Sequence, residues 1–447
     1  MTALFWFRRD LRLQDNEALT VAAQHHDSLL PVFVFPAGFN ELMPIRQASL
    51  IESVRSLAND LPSGITLRSG SPEAELLALC NETDASEVYA TRSFDTKGML
   101  EQSAVAAKLF EKSIALKLIG SNYAVEPGTV KKEDGSPLKV YTPFYKRWSL
   151  IDHGSPFELD VNSISWESAP GIAMPAPSGI PPIRVRAGEP FALRTLARFE
   201  ERALDSYHED RNRCDLSGTS HLSHALAHGE IHPRTILARL GDSKGHEVFR
   251  KEIAWREFYA DVLANNPHTL EDYFEPRFAN MRYDDPVEHA GKLAAWKSGK
   301  TGYPIVDAAM RQLTESGWMH NRARMIVASF LVKDLHFEWQ IGAEHFEQHL
   351  TDFDPASNSH GWQWTAGCGT DASPYYRVFN PVLQGVKFDP NGDYVRKWVP
   401  ELRHIPDGSL HEPWNLIDAY AHGYPQPIVD HAKERDESLA RLEEIKR

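Results

Sequence analysis

Two kinds of hydrophobic periodicity divide this chain of 447 residues. Short apolar runs, which alternate with amphipathic stretches, lie at 3–7, 29–35, 65–68, 87–90 and 115–119. Strands and helices in alternation predict an α/β domain with a doubly wound, Rossmann-like parallel sheet. From about residue 189 onward helical periodicity dominates, which predicts a second domain that is all-α.

We therefore predict an α/β domain at 1–128, a connection at 129–188 and a helical domain at 189–447. The connection lacks sustained periodicity and contains a proline-rich tract at 170–182, as is typical of a long segment that runs over a surface. No Gly-x-Gly-x-x-Gly follows the first strand, so the α/β domain lacks the dinucleotide-binding fingerprint.

Composition excludes several classes of protein. No stretch approaches about 18 uninterrupted apolar residues, which predicts that no segment spans a membrane. The N-terminus alternates Arg and Asp after a short apolar strand, unlike a signal peptide, so we expect a cytoplasmic protein. The cysteines, Cys80, Cys214 and Cys368, are too few and too far apart for a disulfide framework or a thiolate cluster, and we predict no metal site.

The net charge of −14 argues against a generally basic nucleic-acid-binding protein. A local basic patch is still compatible with this total, because DNA affinity depends on the Lys and Arg within the footprint. Positive charge is concentrated in the C-terminal part, at Arg322, Arg324, Arg377, Lys387, Arg396, Lys397 and Arg403.

One segment has a composition that a packed core does not need. On a helix, Trp318, Asn321, Arg322 and Met325 would share one face. An aromatic ring, an amide, a guanidinium and a thioether together indicate a surface that receives a large, flat, polar ligand. The alternative is an ordinary solvated helix face.

A second segment predicts a ligand-binding turn that leads into a helix. Asp352 and Asp354 would be costly to bury without specific partners, so we expect them to face water or a cofactor. Asn358 and Trp362 would lie on adjacent positions of one helical turn. The amide can hydrogen-bond a ring nitrogen in either protonation state, because it offers both a donor and an acceptor.

Two further clusters fit ligand binding less specifically. Glu252, Trp255, Arg256 and Tyr259 again share a helical face, where the carboxylate could accept an N–H from a base and the indole could stack on it. The alternative is a surface salt bridge beside a core tryptophan. Residues 218–223 place small donors around a glycine, which suits a pyrophosphate, although such a segment alone is more often a helix cap.

These segments, together with residues 5–16, 139–148 and 300–307, resemble the photolyase/cryptochrome family, and the motifs follow the family's order from residue 3 to about residue 430. Within the family the chain is most similar to the bacterial class I cyclobutane pyrimidine dimer photolyases. The resemblance implies FAD folded into a U shape in the helical domain, DNA containing pyrimidine dimers as the partner, and a monomeric protein.

The resemblance also implies roles for individual residues. Those expected at the flipped-out dimer are Glu252, Trp255, Asn321, Arg322, Met325 and Trp364. Those expected at FAD are Tyr207, Thr219, Ser220, His221, Leu222, Ser223, Arg256, Trp318, Asn321, Arg324, Asp352, Asp354 and Asn358. His221 stands where the family usually has Arg, which leaves one charged phosphate contact open.

The resemblance also implies electron transfer through two tryptophans. Trp339 precedes Trp362 by 23 residues, as do the family's electron-transfer tryptophans. The family's usual third tryptophan is replaced by Pro286, and the nearest aromatic residue is Tyr283. We expect the outer step to use Tyr283 or another surface aromatic, or to be lost.

The implied function is a light-driven carbon–carbon lyase, in which an electron passes from excited reduced FAD to the dimer and returns after the ring has split. The alternatives are a cryptochrome photoreceptor, which usually carries Asp or Cys at the position of Asn358, and a (6-4) photolyase, which needs His at the position of Asn321. An antenna pigment is expected in the α/β domain. The Asn-Glu pair of folate-binding members is missing from 94–101, which makes folate doubtful. A deazaflavin, a second flavin and an empty site remain open.

Overall fold

The structure, a computed structural model, describes residues 2–179, 185–371 and 376–446. It divides into two compact units. The first consists of Met1–Asp205 and Ser220–Pro267, and the second of Ser206–Thr219 and His268–Arg447. No helix in the described part of the chain is long and apolar enough to cross a membrane.

The first unit is built on a parallel sheet. Its strands are β1 (Thr2–Phe7), β2 (Ser28–Pro36), β3 (Thr66–Gly70), β4 (Glu87–Thr91), β5 (Ala115–Ile119) and β6 (Ser165–Trp166). The order is β3-β2-β1-β4-β5, with β6 pairing in parallel with the start of β2. The doubly wound sheet predicted from the sequence is thereby confirmed.

The central strand is buried on both faces, which explains its continuous apolar sequence. Phe5 and Phe7 belong to one hydrophobic cluster of the first unit, and Leu4 and Trp6 belong to another. Because successive strand residues point to opposite faces, the two clusters lie on opposite sides of the sheet.

Helices are numbered along the chain: α1 (Glu17–His25), α2 (Pro44–Asp60), α3 (Pro72–Thr83), α4 (Thr96–Phe110), α5 (Tyr141–Trp148), α6 (Glu189–Arg202), α7 (Tyr207–Asp210), α8 (Ser223–His228), α9 (Pro233–Leu237), α10 (Lys244–Asn265), α11 (Ala290–Lys297), α12 (Pro304–Ser316), α13 (Asn321–Lys333), α14 (Trp339–His349), α15 (Pro355–Ala366), α16 (Pro381–Phe388), α17 (Asp393–Trp398) and α18 (His431–Glu444). In the second unit, every regular element of the described residues is helical, as predicted for the C-terminal part.

The predicted connection contains more regular structure than its sequence indicated, since it includes α5 and β6. Its proline-rich tract lies within the described residues only as far as residue 179. The compact units also do not coincide with the three predicted segments, because 189–205 and 220–267 group with the first unit. The predicted boundaries themselves stay predictions.

Buried carboxylates of α10 tie that helix to the first unit. Glu257 accepts hydrogen bonds from the backbone N–H groups of Ala124 and Val125 at 2.8 and 2.9 Å, and from Trp148 Nε1 at 3.2 Å. Asp261 accepts one from the N–H of Gly128 at 2.7 Å. These bonds give a physical reason why α10 groups with the sheet unit and not with the other helices.

The 300–307 motif has a structural function in the second unit. Asp307 is fully buried and accepts hydrogen bonds from the N–H groups of Thr301 and Gly302 and from the hydroxyl of Tyr424, at 2.7, 3.0 and 2.6 Å. A buried carboxylate with several donors is satisfied without a charged partner. The motif therefore closes the turn before α12 and anchors the C-terminal segment.

Candidate functional site

The start of α13 differs from the sequence prediction. Gly317 adopts a left-handed conformation (φ 65°) that ends α12, and His320 Nδ1 accepts a hydrogen bond from the Arg322 N–H at 3.1 Å, which caps α13. The helix therefore begins at Asn321, and Trp318 lies outside it. The prediction that Trp318 shares a helical face with the other residues of its segment is wrong.

Asn321 and Arg322 occupy the first turn of α13, and Met325 follows one turn later. Asn321 is exposed, while Arg322 and Met325 are partly exposed. The Arg322 guanidinium donates to Asn212 Oδ1 at 2.7 Å and lies 4.5 Å from the centre of the Phe388 ring. These two contacts hold the cation in a defined place on the second unit.

An ion pair on α13 holds a buried carboxylate. Arg324 Nη2 donates to Asp352 Oδ2 at 2.6 Å, and Arg324 Nε donates to the Met319 carbonyl at 2.9 Å. Asp352 is only 5% exposed, so its carboxylate is largely shielded from water. Its other oxygen, Oδ1, has no hydrogen-bond partner among the described residues.

A buried oxygen of this kind, left without a partner by the described residues, indicates a place for a further donor such as a ligand, because an unsatisfied buried acceptor is costly. FAD carries ring N–H and ribityl hydroxyl groups that could donate to it. The unsatisfied acceptor oxygen of Asp352 therefore fits the cofactor that the resemblance implies.

Helix α15 places an amide and an indole one turn apart, as predicted. Asp354 caps the helix by accepting a hydrogen bond from the Ser357 N–H at 2.9 Å, and Pro355 occupies the first turn. Asn358 Nδ2 donates to the Ala343 carbonyl at 3.0 Å, which fixes the amide. The described residues leave Asn358 Oδ1 and the second N–H of the amide available for a ligand.

The two predicted electron-transfer tryptophans are buried in the core of the second unit, with exposures of 1% for Trp339 and 3% for Trp362. They belong to the packed helices α14 and α15. Gly342 makes this packing possible, since a Cβ at that position would overlap the ring of Trp362. Trp364 is partly exposed on α15 and donates through Nε1 to the Asp371 carbonyl at 3.1 Å.

The predicted phosphate-binding segment is divided at its middle, with Gly218 and Thr219 in the second unit and Ser220 onward in the first. Gly218 packs closely on Asp210, because a Cβ there would lie 2.8 Å from the Asp210 Cβ. His221 is exposed and adopts a left-handed conformation (φ 54°). Ser220 Oγ accepts from the N–H of Leu222 at 3.3 Å. Two other residues that were expected at FAD differ in exposure. Tyr207 is buried on α7, and Ser223 is exposed at the start of α8.

In the first unit, α10 presents an aromatic platform. The Trp255 indole stacks on the Tyr141 ring with centroids 3.8 Å apart and an interplanar angle of 7°. The Tyr141 hydroxyl donates to the Lys251 carbonyl at 2.7 Å. Trp255 and Glu252 are both partly exposed. The platform is a rigid, partly exposed indole beside a carboxylate.

Tyr141 was not identified from the sequence as a site residue. A signal was present, since Tyr141, Tyr145 and Trp148 lie at helical spacing within the family-like segment 139–148.

The surroundings of Arg256 differ from those expected. Its guanidinium donates to the carbonyls of Asn122 and Leu226 at 3.0 and 3.3 Å. These bonds give it a structural function, and its contact with FAD stays a prediction.

Comparison with known proteins identifies the family. The family model described as DNA photolyase matches residues 3–159, and the model described as FAD binding domain of DNA photolyase matches residues 249–444. The chain belongs to the DNA photolyase family. It therefore carries the FAD-binding domain of that family, in agreement with the cofactor fit at Asp352.

Curated relatives are similar over nearly their whole length. The deoxyribodipyrimidine photo-lyase of Alkalihalophilus pseudofirmus is 36% identical, with 97% of this chain and 96% of the relative covered. That of Agrobacterium fabrum is 37% identical, with 99% and 98% covered. These values show family membership without reference to the fold.

Solved structures of photolyases and cryptochromes share the fold. A bacterial class III photolyase from Agrobacterium tumefaciens has a TM-score of 0.88 at 37% identity, covering 100% of this chain and 98% of its own. An archaeal photolyase from Sulfolobus tokodaii with two FAD molecules has 0.86 at 26%, covering 99% and 100%. A Synechocystis cryptochrome has 0.87 at 27%, covering 98% of each chain. The class I assignment stays a prediction.

Proposed function

We propose that this protein is a deoxyribodipyrimidine photo-lyase that splits cyclobutane pyrimidine dimers in DNA in a light-dependent reaction. The names of the curated relatives support this activity. Within the structure, the observation that carries the proposal is the Trp255 platform beside Glu252. A rigid indole can stack on a flipped-out base at little entropic cost, and a carboxyl group beside it can hydrogen-bond the base edge.

FAD, when bound, supplies the electron that splits the dimer. The chain's own contribution is to bind and orient. Asp352 Oδ1 would accept a hydrogen bond from the cofactor, and Arg324 holds that carboxylate in place. Asn358 would contact a flavin ring nitrogen through the groups that its bond to the Ala343 carbonyl leaves available. The remaining assigned FAD residues are Tyr207, Thr219, Ser220, His221, Leu222, Ser223, Arg256, Trp318, Asn321 and Asp354.

At the dimer, Glu252 stabilises the negative charge that develops during repair by donating a proton or a hydrogen bond. Trp255 supplies a stacking surface. The resemblance assigns Asn321, Arg322, Met325 and Trp364 to contacts with the lesion as well. The protein acts as a monomer and binds DNA through a local basic patch, although its net charge is negative.

Two residues favour dimer repair over the alternatives. Asn358 stands where cryptochromes usually carry Asp or Cys, and Asn321 stands where (6-4) photolyases need His. The cryptochrome alternative has support from the Synechocystis structure, whose fold is equally similar. The identity of an antenna chromophore stays open, and the Sulfolobus protein, which holds two FAD molecules, keeps a second flavin among the candidates.

The proposal is tested with the purified, FAD-loaded protein and three oligonucleotides, which carry one thymine dimer, one (6-4) photoproduct or no lesion. We expect loss of the thymine dimer under blue light, no reaction in darkness and no loss of the (6-4) photoproduct. Repair of the (6-4) lesion alone would assign the other photolyase activity. Absence of repair of either lesion by reduced, FAD-loaded protein would favour the photoreceptor.

A further inference from the structure

A chain of aromatic rings leads away from Trp339 in the second unit. Tyr273 lies edge-on to Trp339, with centroids 6.2 Å apart and an interplanar angle of 87°. Tyr283 stacks on Tyr273 at 6.4 Å and 20°. Trp339 and Tyr273 are buried, whereas Tyr283 is partly exposed. The rings therefore form a path from the protein core towards the surface, although Pro286 occupies the usual third-tryptophan position.

The two phenols differ in what can receive their protons. The Tyr273 hydroxyl donates to Glu338 Oε1 at 3.0 Å, and Glu338 is exposed to solvent. The Tyr283 hydroxyl donates to the Phe278 carbonyl at 3.2 Å. A carboxylate at hydrogen-bond distance can act as a base, whereas a backbone carbonyl cannot. Of these two hydroxyl contacts, only that of Tyr273 is made to a group that can accept the proton.

Proton transfer matters here because both phenols are neutral. Burial raises the pKa of Tyr273 and that of Tyr283 above the ordinary value of tyrosine. Loss of an electron from a neutral phenol makes its O–H strongly acidic. Oxidation is therefore favourable where a base takes the proton at the same time.

The buried tryptophans have the opposite property. Trp339 Nε1 and Trp362 Nε1 have no hydrogen-bond partner within the described residues. An oxidised indole that finds no acceptor for its N–H proton keeps its positive charge and remains a strong oxidant. This favours onward transfer of an electron from a neighbouring phenol.

We propose that Tyr273, with Glu338 as its proton acceptor, is the terminal electron donor of a Trp362–Trp339–Tyr273 chain. The inference rests on the proposed function, because it requires bound FAD. In its oxidised form FAD, excited by light, would be the primary oxidant, and its electron would come through Trp362 and Trp339, the two tryptophans to which the family resemblance assigns electron transfer. One electron then moves from Tyr273 to the oxidised Trp339 indole. The phenolic O–H bond breaks, the proton joins the Glu338 carboxylate, and a neutral tyrosyl radical remains.

This assignment differs from the expectation that Tyr283 is the outer donor. Tyr283 stacks on Tyr273 and shields it, while its own hydroxyl bonds a carbonyl. Tyr273 gives no local signal in the sequence, because it precedes Trp339 by 66 residues. Only the fold shows that the two rings are in contact.

The test is transient absorption and electron paramagnetic resonance of the FAD-loaded protein after a light pulse, with oxidised FAD at the start. Wild type, Tyr273→Phe, Glu338→Gln, Tyr283→Phe and Tyr420→Phe are compared. Tyr420→Phe is the matched control, because it removes a phenol of the same unit whose hydroxyl has no partner among the described residues.

We expect a tyrosyl radical in the wild type, in Tyr283→Phe and in Tyr420→Phe. The signal should be lost in Tyr273→Phe and lost or delayed in Glu338→Gln, where an amide replaces the base at an exposed site. Its formation should be slower in D2O. A tyrosyl signal that survives Tyr273→Phe, or one that Tyr283→Phe removes, would overturn the assignment, as would an unchanged signal in Glu338→Gln.

Wild-type FAD content and dimer repair after chemical reduction are measured in parallel. If these fail, the proposed function is wrong. If they hold and no tyrosyl radical forms, only the present inference is wrong.

Discussion

At the scale of single residues, Glu252 carries the most specific prediction. It lies one helical turn from the Trp255 platform and is partly exposed. Replacing Glu252 with Ala should lower the quantum yield of repair while FAD stays bound, because one charge-assisted hydrogen bond of about 1.5–3 kcal/mol is removed. Glu252→Gln, which retains hydrogen bonding, should have a smaller effect. An unchanged yield in the Ala variant would contradict the role of Glu252.

Asn358 is expected to control the charge that the bound flavin can hold. Asn358→Asp introduces a carboxylate, which disfavours additional negative charge nearby, and it removes the hydrogen bond to the Ala343 carbonyl. Reduced FAD should therefore accumulate less during illumination with a reductant. Absorption spectra recorded during this treatment measure the difference. Identical spectra for both proteins would show that Asn358 is not the neighbour of the flavin ring.

Local patterns predicted some residues of the site and not others. Asn358 and Trp362 share a helical turn as their spacing indicated, because nothing between them interrupts α15. Trp318 was placed on a helix that begins only at Asn321. The cap that shortens the helix is a histidine ring nitrogen, and histidine is not among the usual N-cap residues, so the sequence carried no recognisable start signal.

At the scale of elements, the contact between α14 and α15 depends on Gly342. Gly342→Ala would push a methyl group into the Trp362 ring, and overpacking of this kind costs about 1–3 kcal/mol. We expect lower stability in chemical unfolding and altered tryptophan fluorescence. Gly291→Ala on α11 is the control, because a Cβ there meets no atom within 4 Å. Equal stability of the two variants would contradict the packing described for Trp362.

The docking of α10 should depend on pH. Burial raises the pKa of Glu257 to about 7 and that of Asp261 to about 6. A carboxyl group whose pKa is higher in the folded state stabilises the fold below its unfolded pKa, and this contribution is lost as the pH rises through the folded value. For Glu257 the window extends from the ordinary value of 4.5 to about 7.

The free energy of unfolding of the wild type should therefore fall relative to that of Glu257→Gln between about pH 4.5 and about pH 7, by about 1–3 kcal/mol. Gln has nearly the same shape and does not titrate. Urea unfolding of both proteins at several pH values measures this difference. A difference that does not change with pH would show that Glu257 titrates in the folded protein as it does in the unfolded chain.

Elements with strong periodicity were predictable, and those defined by distant partners were not. Strands β1 to β5 were predicted because short runs rich in apolar residues alternate with amphipathic stretches there. Strand β6 has two residues, too few to show any period. The attachment of α10 to the first unit involves hydrogen bonds that the Glu257 carboxylate accepts from the N–H groups of Ala124 and Val125. These two residues lie more than 130 positions earlier in the chain. No local pattern reports such a pairing.

At the scale of the whole molecule, charge and function have to be reconciled. The chain carries a net charge of −14, although its proposed partner is a polyanion. Binding must then rest on a few local cations, so affinity for lesion-containing DNA should depend on salt in proportion to the phosphates contacted and not to the total charge. The division into two compact units also differs from the predicted segments, because 189–205 and 220–267 group with the sheet unit.

The most direct test of the account is the action spectrum of dimer repair. Pre-reduced protein that holds FAD as its only chromophore is illuminated at a series of wavelengths with an oligonucleotide that carries one thymine dimer. The account predicts that the repair yield per incident photon follows the absorption spectrum of the bound reduced FAD and is zero in darkness. Repair in the dark, or a spectrum that does not follow that absorption, would contradict it.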